Sequence, residues 1–162
     1  FGIEICFGSW LSHVLAFLPS PANCVQLGIR STGRSKAYWQ DTFGIKQFWS
    51  EEVKTQGMDA VAEQIVEHFE QCAIDTLYVT VDIDGLDGRY VAATGTPEED
   101  GLMPDEVLAC LDRLIEVFSV GGADLVEVAP FVRHRPQRDP PQPETTLHVA
   151  ASISQRLLAA MA

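Results

Sequence analysis

Hydrophobic positions along this chain switch between two periods. Met58, Val61, Ala62, Ile65, Val66, Phe69 and Cys72 recur at i, i+3, i+4, i+7 and i+8, which predicts an amphipathic helix. Leu77 to Asp82 is a short β-prone run that reads as a strand, as do Cys24 to Ile29, Ile45 to Trp49 and Asp124 to Val128. Ser9 to Phe17 predicts a short helix halted by Pro19 and Pro21. Pro104 opens another at the favoured first position, with Leu108, Leu111, Ile115 and Phe118 on one face. Thr146 to Met161 predicts the last, with Leu147, Ala150, Ile153 and Leu157 roughly periodic. The stretches Ser31 to Gly44, Gly85 to Leu102 and Pro130 to Pro143 read as loops, and Gly121-Gly122 as a break.

This alternation of strands and helices predicts an α/β fold: a three-layer α/β/α arrangement around a mostly parallel sheet, in one domain over residues 1–162. In such sheets ligands bind at the carboxyl ends of the strands. Asp82, Asp84 and Glu127 fall at or near those ends.

Charge narrows the function classes. With 23 acidic against 11 basic residues the net charge is −12, which disfavours binding to nucleic acid or an anionic membrane and suits a cationic ligand or a metal. No apolar run reaches transmembrane length, and Ile3 to Leu18 lacks the basic start of a signal peptide. Cys6, Cys24, Cys72 and Cys110 show no Cys-x-x-Cys or zinc spacing, so they read as reduced thiols of a cytoplasmic protein. His13, His68, His134 and His148 stand at no metal-ligand spacing from one another and read as structural or solvated.

The chemistry concentrates in Val79-Thr80-Val81-Asp82-Ile83-Asp84-Gly85-Leu86-Asp87-Gly88. A strand places the side chains of i and i+2 on one face, so Asp82 and Asp84 would sit side by side. Two such charges ~4 Å apart repel by about 1 kcal/mol in water and more near a protein surface. A divalent cation turns that repulsion into coordination through oxygen. The plainer alternative is a pair of loop aspartates capping backbone amides. A calcium loop of the EF-hand type does not fit, because counting from Asp82 puts Leu86, Asp87 and Ala93 where that loop needs an oxygen ligand, Gly and Glu. Glu127, within the apolar run Leu125 to Val128, is either an outward-facing strand residue or a functional carboxylate. Phosphate-binding glycine loops and serine nucleophile elbows are absent.

Together these segments resemble the ureohydrolase family of arginases and agmatinases. The resemblance rests on Asp82, Asp84, Asp87, Thr94-Gly95-Thr96-Pro97, Gly101-Leu102 and Glu106, then Asp124-Leu125-Val126-Glu127-Val128-Ala129-Pro130, and earlier Val25-Gln26-Leu27-Gly28-Ile29-Arg30. It implies a metal-dependent amidinohydrolase that splits a small cationic guanidino compound into urea plus an amine. It further implies a binuclear Mn(II) centre bridged by Asp82, with Asp84 on one ion, Glu127 holding the guanidinium, and a homo-oligomeric assembly. The family's Gly-Gly-Asp-His and Asp-Ala-His-x-Asp signatures are missing, Phe7-Gly8 stands where His-Gly is usual, and Gly88 and Ala92 replace prolines. The chain is therefore expected to be a C-terminal half, inactive alone. The rival expectation is a non-catalytic ureohydrolase-like binding or regulatory protein.

Overall fold

The computed structural model describes residues 5–6, 8–30, 32–131 and 143–162. The expectations placed on Phe7, on His134 and on most of the Pro130–Pro143 loop lie outside the described residues.

The core forms where the helical stripes meet the strands. Helix α1 (Trp10–Val14) runs into a 3-10 turn, Leu15–Phe17. Strand β1 (Val25–Ile29) follows, then α2 (Lys36–Phe43), β2 (Lys46–Trp49), α3 (Ser50–Gln56) and α4 (Met58–Gln71). The chain continues through β3 (Thr76–Asp82), α5 (Pro104–Val117), β4 (Ser119–Val126) and α6 (Pro143–Ala160). Val61, Ile65 and Phe69 of α4 pack with Leu77 and Val81 of β3, Val107 and Leu111 of α5, and Ile153 and Leu157 of α6 in one buried cluster. Burying each such side chain contributes about 1.5–3 kcal/mol.

Both ladders are parallel, as the alternation requires. Among the described residues β1 pairs with β2 and β3 with β4, as two separate two-stranded sheets. The α/β class is as expected and the sheet is incomplete. On β3, Leu77 and Val81 are buried while Thr76, Tyr78, Thr80 and Asp82 are exposed. One face of this strand therefore meets the core and the other is open among the described residues.

Three local expectations are corrected. The Ser31–Gly44 stretch contains a helix: the Ser35 hydroxyl accepts from the Tyr38 amide at 3.2 Å, and Gly44 ends α2 in the left-handed region at φ 73°. Gly121-Gly122 does not break the chain but lies inside β4, which begins at Ser119 rather than Asp124. A Cβ at Gly122 would stand 3.0 Å from the Tyr78 ring, so this glycine makes room for a cross-strand aromatic, while a Cβ at Gly121 would stand 2.9 Å from the Thr76 methyl. Finally, β4 ends at Val126, leaving Glu127 outside the strand, exposed and at φ 62°. That conformation is costly for a residue with a side chain.

Candidate functional site

The carboxyl end of β3 is a turn, not a continued strand. The backbone passes from Asp82 into a 3-10 turn, Ile83–Gly85, and the Asp84 amide donates to Asp82 Oδ1 at 3.2 Å. Alternation along an extended strand is thus not what brings the two aspartates together. Asp82 caps the turn that carries Asp84, so the capping role and the pairing coexist. The Thr96 hydroxyl donates to Asp84 Oδ2 and fixes that carboxylate.

Electrostatics follow from the crowding. Although Asp82 is exposed as a residue, its pKa is raised to about 6: partial desolvation by adjoining protein comes first, then a hydrogen bond to the Asp84 carboxyl and the charges of Asp84 and Glu127, against a lowering by the Asp84 amide. Glu127 arrives from beyond β4. Its Oε2 lies 3.4 Å from where a Cβ on Gly95 would stand, so the bare glycine lets the carboxylate rest on the Thr94–Thr96 segment. The Ala129 amide donates to Ala93 O at 2.8 Å and ties the two segments together.

The long loop from Gly85 to Leu102 is folded back on itself. Asp87 N donates to Leu102 O at 2.9 Å, Leu102 N to Gly85 O at 3.1 Å, and Gly88 N to Glu98 O at 2.8 Å. Its anchor is Asp87, fully buried, which accepts from the Arg89 and Asp100 amides at 2.9 Å each and from the Arg89 guanidinium at 2.8 Å. The guanidinium and both amides hold the Asp87 carboxyl below the usual range, with burial opposing them. Gly101 is obligatory, because a Cβ there would sit 2.3 Å from the Leu86 carbonyl carbon.

These donors are hard carboxylate oxygens whose mutual repulsion a divalent cation would relieve, so their chemistry fits one. They are few, however. Among the described residues no group of three or more His, Cys, Asp and Glu is arranged to hold a metal ion. Asp82 and Asp84 are brought together and Glu127 stands near them. Of the histidines, His68 is a structural partner of the Ala22 carbonyl, 2.7 Å away. The cysteines Cys6, Cys24, Cys72 and Cys110 are free thiols. Arg30, Thr96 and Gly95 enter the site without having been singled out individually. Only the Thr-Gly-Thr-Pro run pointed towards the last two.

Comparison with known proteins settles the class. A sequence model of the Arginase family matches residues 4–160, and the chain belongs to that family. Human arginase-1 is 29% identical over 129 residues, 80% of this chain and 39% of the human protein. Bovine arginase-1 is 30% identical over 118 residues, 73% of this chain and 37% of that protein. Among solved structures, proclavaminate amidino hydrolase from Streptomyces clavuligerus superposes with a TM-score of 0.75 at 28% identity, covering 94% of this chain and 47% of that one. A hypothetical agmatinase from Burkholderia thailandensis gives 0.73 at 30% identity, covering 93% and 42%. The chain thus spans less than half the length of each of these relatives.

Proposed function

We propose that this chain is the part of a manganese-dependent amidinohydrolase that carries Asp82 and Asp84 as metal ligands and Glu127 as the anchor of a cationic guanidino group. The observation that carries the reading is the convergence of Asp82 and Asp84 at the carboxyl end of β3, with Glu127 close enough to raise the Asp82 pKa. In this reading the Asp82 and Asp84 carboxylates would hold the manganese through oxygen. Bound manganese would supply Lewis acidity and lower the pKa of water. The chain's own residues do the rest. Thr96 holds the Asp84 carboxylate in one orientation, and the Asp84 amide holds that of Asp82. Glu127 pairs with the guanidinium and orients the guanidino carbon; water adds to that carbon, the C–N bond breaks, and a proton goes to the departing amine. A net charge of −12 favours approach of a cationic substrate. The remaining ligands come from outside this chain, which alone is inactive and binds manganese weakly. The proposal extends to a complete protein that works in the cytoplasm as a homo-oligomer.

The test uses the complete protein. Manganese titration by calorimetry, with urea release from agmatine, arginine and guanidinobutyrate, should give metal binding and turnover that Asp82→Ala and Asp84→Ala abolish. Turnover and metal content unchanged in both variants would sink the proposal. Guanidino binding without metal or turnover would favour a non-catalytic binding protein instead.

A further inference from the structure

We propose that Arg30 is a positioning residue for the turn that carries Asp84, a role that rests on the metal reading above. Arg30 leaves the end of β1 with its side chain only 16% exposed. Its Nη1 donates to the Gly85 carbonyl at 2.9 Å and its Nη2 to the Asp84 carbonyl, 55 and 54 residues further along the chain. The planar guanidinium thus grips two consecutive main-chain oxygens of the Ile83–Gly85 turn. Releasing these carbonyls would loosen the turn that holds the Asp84 side chain beside Asp82 and the Thr96 hydroxyl.

The approach of β1 to this turn is built in. Gly28 sits at φ 82°, the β1–β2 register shifts between Leu27 and Ile29, and a Cβ at Gly28 would stand 2.8 Å from Leu102 Cδ1 and 3.5 Å from Gly85 O. The bulge re-aims the strand so that Arg30 meets the turn. Both Nη bonds go to main-chain oxygens, so this grip does not draw on the Asp82 and Asp84 carboxylates. Nε faces Glu98 Oε2 at 3.4 Å, so a nearby carboxylate offsets the positive charge that would otherwise repel the metal. A lysine ammonium is a point donor and cannot span both carbonyls in one plane.

The experiment compares wild type, Arg30→Gln and Arg30→Lys in the complete protein. It uses Mn2+ titration by calorimetry, hydrogen exchange of the Asp84, Leu86 and Leu102 amides without metal, and steady-state kinetics at saturating Mn2+. Residues that orient ligands typically change metal affinity by about 10–100-fold. Arg30→Gln should weaken Mn2+ binding by about that factor and speed exchange at those three amides while core amides keep their protection. Arg30→Lys should recover part of the affinity, and KM at saturating Mn2+ should stay at the wild-type value. Mn2+ affinity or local exchange in Arg30→Gln equal to wild type, with wild type binding the metal, overturns the role of Arg30 alone. Exchange accelerated throughout the core does so too. A wild-type protein that binds no Mn2+ overturns the metal reading itself.

Discussion

Replacing Asp87 with alanine isolates the anchor of the loop that delivers Thr96 to Asp84. The side chain is fully buried and accepts four hydrogen bonds, two from the Arg89 and Asp100 amides and two from the Arg89 guanidinium. A hydrogen bond to a charged group contributes about 1.5–3 kcal/mol. Arg89 is 62% exposed and can rehydrate, so its ion pair adds little. The amides belong to exposed residues and regain some water, which puts the total loss near ~3 kcal/mol at neutral pH. For a chain of this size that lowers Tm by about 6–12 °C. Asp87 titrates lower folded than unfolded, so its stabilisation is complete above the unfolded value near ~4 and is lost as pH falls through the folded value. Urea unfolding followed by circular dichroism should therefore show a constant gap between wild type and variant from pH 7 to 5, narrowing only below about 4. Arg89→Ala should cost clearly less than Asp87→Ala, because the exposed guanidinium is screened by solvent. A gap under ~1 kcal/mol for Asp87→Ala, or an equal loss for Arg89→Ala, would refute the reasoning that the amides carry this anchor.

Three further outcomes follow from the geometry. Gly101→Ala forces a Cβ to within 2.3 Å of the Leu86 backbone and should destabilise by about 3 kcal/mol or more in denaturant melts, whereas Gly33→Ala, with nothing within 4 Å, should stay within about 1 kcal/mol of wild type. Glu127→Gly relieves the left-handed backbone at φ 62° and should hold or raise stability by up to ~1 kcal/mol, while binding of a guanidino ligand to the complete protein, read by calorimetry, is lost. Asp82 has its pKa raised to about 6, so the metal-free folded state gains a proton before the unfolded one and loses stability as pH rises from about 4 to 6. Asp82→Asn in the metal-free protein should accordingly be more stable at pH 7 by up to about 1 kcal/mol after solvent screening, with no difference below pH ~4; a less stable variant at pH 7 would contradict the crowding.

Regular periodicity was legible. The α4 stripe and the apolar runs of β1, β2 and β3 place those elements to within a residue or two, because burial on one face leaves a mark in local sequence. The α2 helix was not, since its signals are single residues, the Ser35 cap and the Gly44 stop, beside aromatics that pack on one another rather than along a stripe. Gly121-Gly122 misled because a glycine that admits the Tyr78 ring looks like one that ends a strand. The Asp82–Asp84 pair was visible as neighbours, although a turn rather than strand alternation joins them. Arg30 had no visible role, because its meaning depends on a contact 54 residues away.

The parallel pairing also governs how this molecule comes into being. β3 can meet β4 only after the whole intervening crossover is made; Tyr78 finds Asp124 across 46 residues, and Thr80 across 44. Such non-local closures cost loop entropy before any contact repays it, and they slow the search for the native topology. Glu127 therefore joins the locally formed Asp82–Asp84 turn only after this closure. A cation cannot template the whole corner from the start, and synthesis must deliver the entire α5 crossover before that acidic corner is complete.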